Sequence, residues 1–144
     1  MQIRHFEKLP VWKRSMDLVV AVYRFTKLLP ADEKPLLAGT MRRTVASVPV
    51  KIAAGADESD PVALGKAMDD VVTLMREMRT HLLIAERLRY VGRFRTRPLL
   101  RRISRIARLA RELSASMDTA KDERVNPPEP TDAPPPPLPL RPAA

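Results

Sequence analysis

The sequence predicts an all-α fold, an up-and-down four-helix bundle over residues 6–120 followed by a disordered Pro-rich tail over 126–144. Three observations carry this reading. Aromatic residues and glycines are scarce, with one Trp, two Tyr, three Phe and four Gly in 144 residues, while Leu, Ala, Met, Arg and Val dominate. That balance favours helices over a sheet. Leu64, Met68, Val71, Met75, Met78, Leu82 and Ala85 recur at alternating spacings of four and three, the pattern of a helix with one seam against partner helices. Prolines and glycines at Pro30, Gly55, Pro61 and Gly92 divide the chain into four such segments.

Pro10 opens the first helix. Trp12, Met16, Val19 and Tyr23 form one apolar set at helical spacing, and Val11, Leu18, Val22 and Phe25 form a second beside it. Two sets leave a narrow polar strip around Lys13, Asp17 and Arg24, so this helix is expected to pack on two sides, one of them suited to another subunit. Pro30 ends it, because a proline disfavours helical geometry in the residue before it. Asp32 and Glu33 suit the start of the second helix. Its stripe is Leu37, Met41, Val45, Val48 and Ile52, it stops at Gly55, and Pro49 predicts a kink. Gly39, and Gly65 in the third helix, are expected where backbones approach closely.

After an acidic loop over residues 56–60, Asp60 and Pro61 read as N-cap and first helical position. The third helix is expected to reach Tyr90, with Gly92 as its stop. Arg93 to Pro98 then form a linker before the fourth helix. Leu99, Ile103, Ile106, Ala110, Leu113 and Met117 share one face of it, with Arg101, Arg105 and Arg108 opposite and Arg102 and Arg111 at the flanks. From Asn126, nine prolines in nineteen residues give an extended tail. The methionines read as core filling and Trp12 as a core or interface anchor.

The charge is local. Arg87, Arg89, Arg93, Arg95, Arg97, Arg101, Arg102, Arg105, Arg108 and Arg111 fall in one window with no Asp, Glu or Lys, and the chain's formal charge is +9. Outside the window the signs nearly cancel. Guanidinium groups fork onto phosphate oxygens, so the window predicts nucleic-acid binding through backbone phosphates. With almost no aromatics interleaved, little sequence preference is expected. The plainer alternative is a solvated helix face. Arg42 and Arg43 either extend the basic surface or pair with acids such as Glu33 or Glu77.

Other chemistry finds little support. His81 follows Glu77 by four residues, which reads as a helix-surface ion pair, and His5 stands alone. Asp69 and Asp70 point to different sides of a helix and make no metal site. No Gly-rich phosphate loop or nucleophile elbow occurs, so no enzyme, catalytic residue, metal or cofactor is expected. No apolar run suits a membrane span and the N-terminus lacks a signal-peptide core, which places the protein in the cytoplasm without a membrane partner. The tail segment 136–141 fits a ligand for aromatic-lined grooves, against the simpler role of spacer.

Specific residues carry a family resemblance. They are Phe6-Glu7-Lys8-Leu9 leading into Val11-Trp12, then Tyr23-Arg24-Phe25-Thr26 and Leu28-Leu29-Pro30. The run from Met41 through Arg42, Arg43 and Ala46 to Pro49 follows, with Ile52-Ala53, Gly55, Glu77, Leu82 and Tyr90. Together they resemble the four-helix bundle family encoded by intervening sequences of bacterial large-subunit ribosomal RNA genes. A related branch comprises accessory variability proteins of diversity-generating retroelements. The resemblance implies a non-enzymatic homopentamer, and in that branch a basic accessory protein that binds nucleic acid and a reverse transcriptase. Lys51 and Ala54 stand where the family carries Asn and Glu, and Lys51 adds positive charge near Arg42 and Arg43. A structural or adaptor oligomer that recruits a protein partner is the alternative function.

Overall fold

A 3₁₀ turn, Phe6–Lys8, leads into α1, Pro10–Thr26, in the computed structural model, which describes residues 5–56 and 60–127. Three further helices follow: α2, Gly39–Ala56; α3, Pro61–Arg87; and α4, Arg93–Val125. Each packs on its neighbours in sequence, and α1 closes the ring against α4. This is an up-and-down four-helix bundle, with no strand among the described residues. The Pro-rich tail from Pro128 onward and the loop residues 57–59 lie outside the described residues.

The core is the set that helical periodicity selects. Leu18, Met41, Ile52, Met68, Met75, Met78, Leu82 and Ile106 are fully buried, each removing apolar area worth roughly 1.5–3 kcal/mol. Four of the seven methionines fill this core. Asp60 caps α3 by accepting from the Val62 amide at 2.9 Å, with Pro61 at the first helical position. Asp69 and Asp70 diverge as expected. Asp69 accepts from the Ser114 hydroxyl of α4 at 2.9 Å, and Asp70 meets Lys51 of α2 at 3.6 Å.

The boundaries differ from expectation in three places. Residues 31–38 form a 3₁₀ turn, Ala31–Glu33, and a π-helical turn, Lys34–Ala38, before α2 begins. Pro35 lacks a backbone N–H, and the Glu33 carboxylate accepts from the Leu37 amide at 3.4 Å instead. The Arg93–Pro98 stretch is helical, because Gly92 is the N-cap of α4 and not the stop of α3. α3 closes at Leu88, with the Tyr90 amide donating to the Ala85 carbonyl and the Arg89 amide to Glu86. This is a Schellman arrangement whose left-handed position holds Arg89, at φ 59°. Finally, α4 runs to Val125, five residues past the expected end.

Only one of the two apolar sets on α1 is core. Val11, Leu18, Val22 and Phe25 are buried, whereas Met16 and Tyr23 are exposed and Trp12 and Val19 half-buried. Trp12 packs edge-on against Phe6, centroids 5.6 Å apart. The tightest approach of helices falls at Gly55, which meets Ala67 of α3; Gly65 packs against Met117 and Ser114 of α4, whereas Gly39 meets only Arg43 and Lys34. Pro49 lies inside α2, buried, with the helix continuing past it.

Two stability changes follow. A Cβ at position 55 collides with the Ala67 methyl, and overpacking of about 1–3 kcal/mol outweighs the helix-propensity gain of about 0.5–1 kcal/mol, so Gly55→Ala should lower the denaturation midpoint. Conversely, Arg89→Gly relieves the left-handed strain and should raise stability by about 1 kcal/mol in the same denaturant titration.

Candidate nucleic-acid interface

α4 rises about 1.5 Å per residue and turns every 3.6 residues, so Arg97, Arg101, Arg105, Arg108 and Arg111 fall along one side of it over about 21 Å. Ile103, Ile106 and Ala110 on the opposite side are buried, which forces those guanidinium groups outward. Arg101, Arg102, Arg105, Arg108 and Arg111 are exposed, and none forms an ion pair among the described residues. The helices beside α4 turn this row into a ridge between two grooves. On the α3 side, a groove of about 700 Å³ is lined by Arg79, Arg97, Arg101, Arg105, Arg108 and Arg111, with Leu100 and Ser104 at its floor and no carboxylate in its lining. On the α1 side, a groove of about 550 Å³ brings Arg14 to Arg101, Arg102 and Arg105, with Asp17 as its one acid.

Arg14 and Arg79 are therefore members of the site that sequence reasoning missed. Each is a single charge on a different helix, and only the packing of α1 and α3 against α4 reveals them. The spacing between the cations suits a phosphate chain. Neighbouring guanidinium-bearing positions are about 4.5–6 Å apart along the axis, and the row spans about six base steps of ~3.4 Å. Like charges this close raise the local potential and draw in a polyanion.

The other arginines of the window are placed differently. Arg93 and Arg97 share the single carboxylate of Glu86 of α3, at 3.4 and 3.2 Å, so the cluster keeps a net positive charge. Thr96, fully buried, donates its hydroxyl to the other Glu86 oxygen at 2.5 Å. The Thr96 hydrogen bond holds the Glu86 carboxyl below the usual carboxylate range; burial pushes the other way, and Arg97 and then Arg93 add to the lowering. Arg87 and Arg89 are exposed at the end of α3 and in the turn beyond it. Arg95 lies over the ring of Phe94, 5.0 Å from its centroid. Phe94, one of the few aromatics within the window, is exposed beside the arginines.

Arg42 and Arg43 belong elsewhere. The Arg42 Nε donates to the Thr26 hydroxyl at 2.9 Å, and its guanidinium sits 5.1 Å from the Tyr23 ring centroid, so it joins α2 to α1 and pairs with neither Glu33 nor Glu77. Arg43 donates to Thr40 at 3.3 Å, and neither arginine lines the two grooves. Glu33 instead accepts from the Tyr90 hydroxyl at 2.8 Å, which pushes the phenol up, aided by burial and by the Glu33 and Asp32 charges. The Lys51 charge is met by Asp70. Glu77 and His81 form no ion pair, and the half-buried His81 has an unpartnered Nδ1. Among the described residues no group of three His, Asp or Glu side chains is placed to hold a metal ion. No described helix is long and apolar enough to cross a membrane.

An all-helical bundle with a cationic ridge on its last helix is the class of protein that fold and surface define. Residues 7–112 match the family model of the 23S rRNA-intervening sequence protein. The chain belongs to that family, which is not a known enzyme family. No curated protein matches it. Several residues that carry the likeness prove to be joints of the bundle: Tyr23, Thr26 and Arg42 meet between α1 and α2, and Tyr90 ties the α3–α4 turn to Glu33.

The Glu86 cluster sets a pH dependence. Because its folded carboxyl ionises more readily than the unfolded one, its contribution is fully present above the unfolded value and is lost as pH falls through the lower folded value. Glu86→Gln should therefore melt at a lower temperature than the wild type near neutral pH, and thermal melts should show the two converging in acid.

Proposed function

We propose that this protein binds RNA or DNA non-enzymatically, gripping backbone phosphates with the α4 ridge. The observation that carries the reading is the exposed row of Arg101, Arg102, Arg105, Arg108 and Arg111, unpaired among the described residues and flanked by Arg14 and Arg79. The family's name associates it with ribosomal RNA intervening sequences, a context in which a phosphate-binding surface has an obvious object. Arg87, Arg89, Arg93, Arg95 and Arg97 extend the surface toward the α3–α4 turn. Arg42 and Arg43 make a separate cationic patch on α2. The bundle domain, residues 6–120, performs this binding, and the tail from 126 is a spacer.

The ridge reads phosphates more than bases, so sequence preference is weak. In a cytoplasmic homopentamer, the state the family resemblance implies, five ridges act together and modest contacts gain effective concentration. Such a ring suits an accessory to a reverse transcriptase or another nucleic-acid enzyme.

A second reading, an adaptor oligomer that recruits a protein partner, is supported by a different face. Met16, Val20 and Tyr23 are exposed along α1, an apolar strip suited to another chain. Both readings are compatible with one molecule that assembles through α1 and binds through α4.

Simultaneous charge reversal of Arg101, Arg105 and Arg108 to Glu separates them. Titration of wild type with RNA and duplex DNA should show binding at low salt that weakens steeply as salt rises. The triple variant should lose at least about tenfold in affinity and about three from the log–log salt slope, with helicity by circular dichroism unchanged. Unchanged affinity in that variant rejects the phosphate reading.

A further inference from the structure

We infer that the groove beside Phe94 receives an unpaired base, so that the ridge prefers single-stranded nucleic acid to duplex. This rests on the phosphate-binding reading of α4 and adds a base subsite to it. Where the C-terminal end of α1 meets the first turns of α4, a groove of about 360 Å³ has Phe25, Leu28 and Leu99 in its apolar lining. Phe94 stands at its edge, 74% exposed, and Leu28 is 45% exposed. Three arginines, Arg24, Arg95 and Arg102, complete the lining with no acid among them.

An exposed ring inside a ring of cations selects its occupant. The ring and its apolar floor gain from covering a flat apolar face, while the guanidinium groups require negative charge within a few ångströms of that face. A nucleotide carries both on adjoining atoms. In a duplex the base faces are already stacked on each other and do not reach a side chain at the rim; in a single strand they do. The groove also connects to the ridge. Pro98 and Arg102 line both this groove and the one between α1 and α4 that holds Arg14, Arg101 and Arg105. A strand whose phosphates follow Arg101, Arg102 and Arg105 therefore delivers a neighbouring base to Phe94. Arg95 already covers one face of the ring, which leaves the other face for the base.

The test uses the full chain and three labelled probes at one low salt concentration: a single-stranded RNA of mixed sequence, the same strand with abasic sites throughout, and the strand annealed to its complement. Wild type should bind the intact strand roughly 5- to 150-fold more tightly than the abasic one, the cost of losing one stacked base. In Phe94→Ala that ratio should fall to near one, with duplex affinity and salt slope unchanged, and Phe94→Trp should restore it. Equal wild-type affinity for intact and abasic strands, with salt dependence retained, overturns the base subsite and leaves the phosphate reading standing. A Phe94→Ala variant that weakens all three probes equally and changes mass by analytical ultracentrifugation overturns it in favour of a subunit contact at Phe94. If wild type binds none of the probes, the phosphate reading fails and the subsite falls with it.

Discussion

One carboxylate ties the start of the arginine-bearing helix to its neighbour. Glu86, the penultimate residue of α3, collects the Thr96 hydroxyl and the Arg93 and Arg97 guanidinium groups of α4. Hydrogen bonds to an ionised acceptor are stronger than neutral ones, and here three converge on a side chain that is only 17% exposed. They fasten the first turn and a half of α4 to α3. Pro98, which lacks the N–H that would donate back along the helix, then follows an already anchored start. The anchor acts together with the buried face of Leu99, Ile103, Ile106 and Ala110, which turns the later arginines outward. Glu86 partly offsets Arg93 and Arg97, whereas Arg101, Arg102, Arg105, Arg108 and Arg111 have no ion-pair partner among the described residues.

That surface carries a cost in the fold itself. Arg97 and Arg101, Arg101 and Arg105, Arg105 and Arg108, and Arg108 and Arg111 are like-charge neighbours on one helix face, each pair opposing helix formation by about 0.2–0.5 kcal/mol. A face needed only for solubility gains more from mixed signs, as the end of α4 shows, where Asp118, Asp122 and Glu123 are interspersed with Lys121 and Arg124. The bundle offsets the penalty through the packing of α3 on α4, its most extensive interface. A helix that holds uncompensated repulsion at its surface gains when a polyanion removes it, which is the energetic argument for a ligand at this ridge.

Legibility in the sequence followed the range of the forces involved. Core stripes were readable because 3.6-residue periodicity is local, and Leu64 through Ala85 became the buried seam of α3. Helix ends were less readable because tertiary contacts override their signals. Gly92 looks like a stop for α3, yet Arg89 takes the left-handed position and Gly92 caps α4, since Tyr90 must reach Glu33 and Thr96 must reach Glu86. The site shows the same division. The row from Arg101 to Arg111 lies within one helix and was visible, while Arg14 and Arg79 come from other helices and carry no local mark. Arg42 and Arg43 were ambiguous because an adjacent pair has no sign of its own, and the hydroxyl that claims Arg42 is sixteen residues away.

The two unsatisfied surfaces of the molecule differ in kind, and the difference assigns them separate tasks. The strip of Met16, Val20 and Tyr23 is apolar and lies along the outside of α1, so covering it gains from area alone and accepts a broad, flat partner. The groove at Phe94 is small, apolar at its floor and cationic at its rim, so area alone does not fill it favourably; charge must enter with the apolar group. α1 contributes to both, with Arg24 and Phe25 at its C-terminal end and Met16 near its middle. A chain that assembles along the middle of α1 therefore brings the Arg24 end of that helix, and the start of α4 beside it, to a repeated position around the assembly. In the proposed reading, oligomerisation and nucleic-acid contact depend on the same helix through different residues, and changing one surface need not disturb the other.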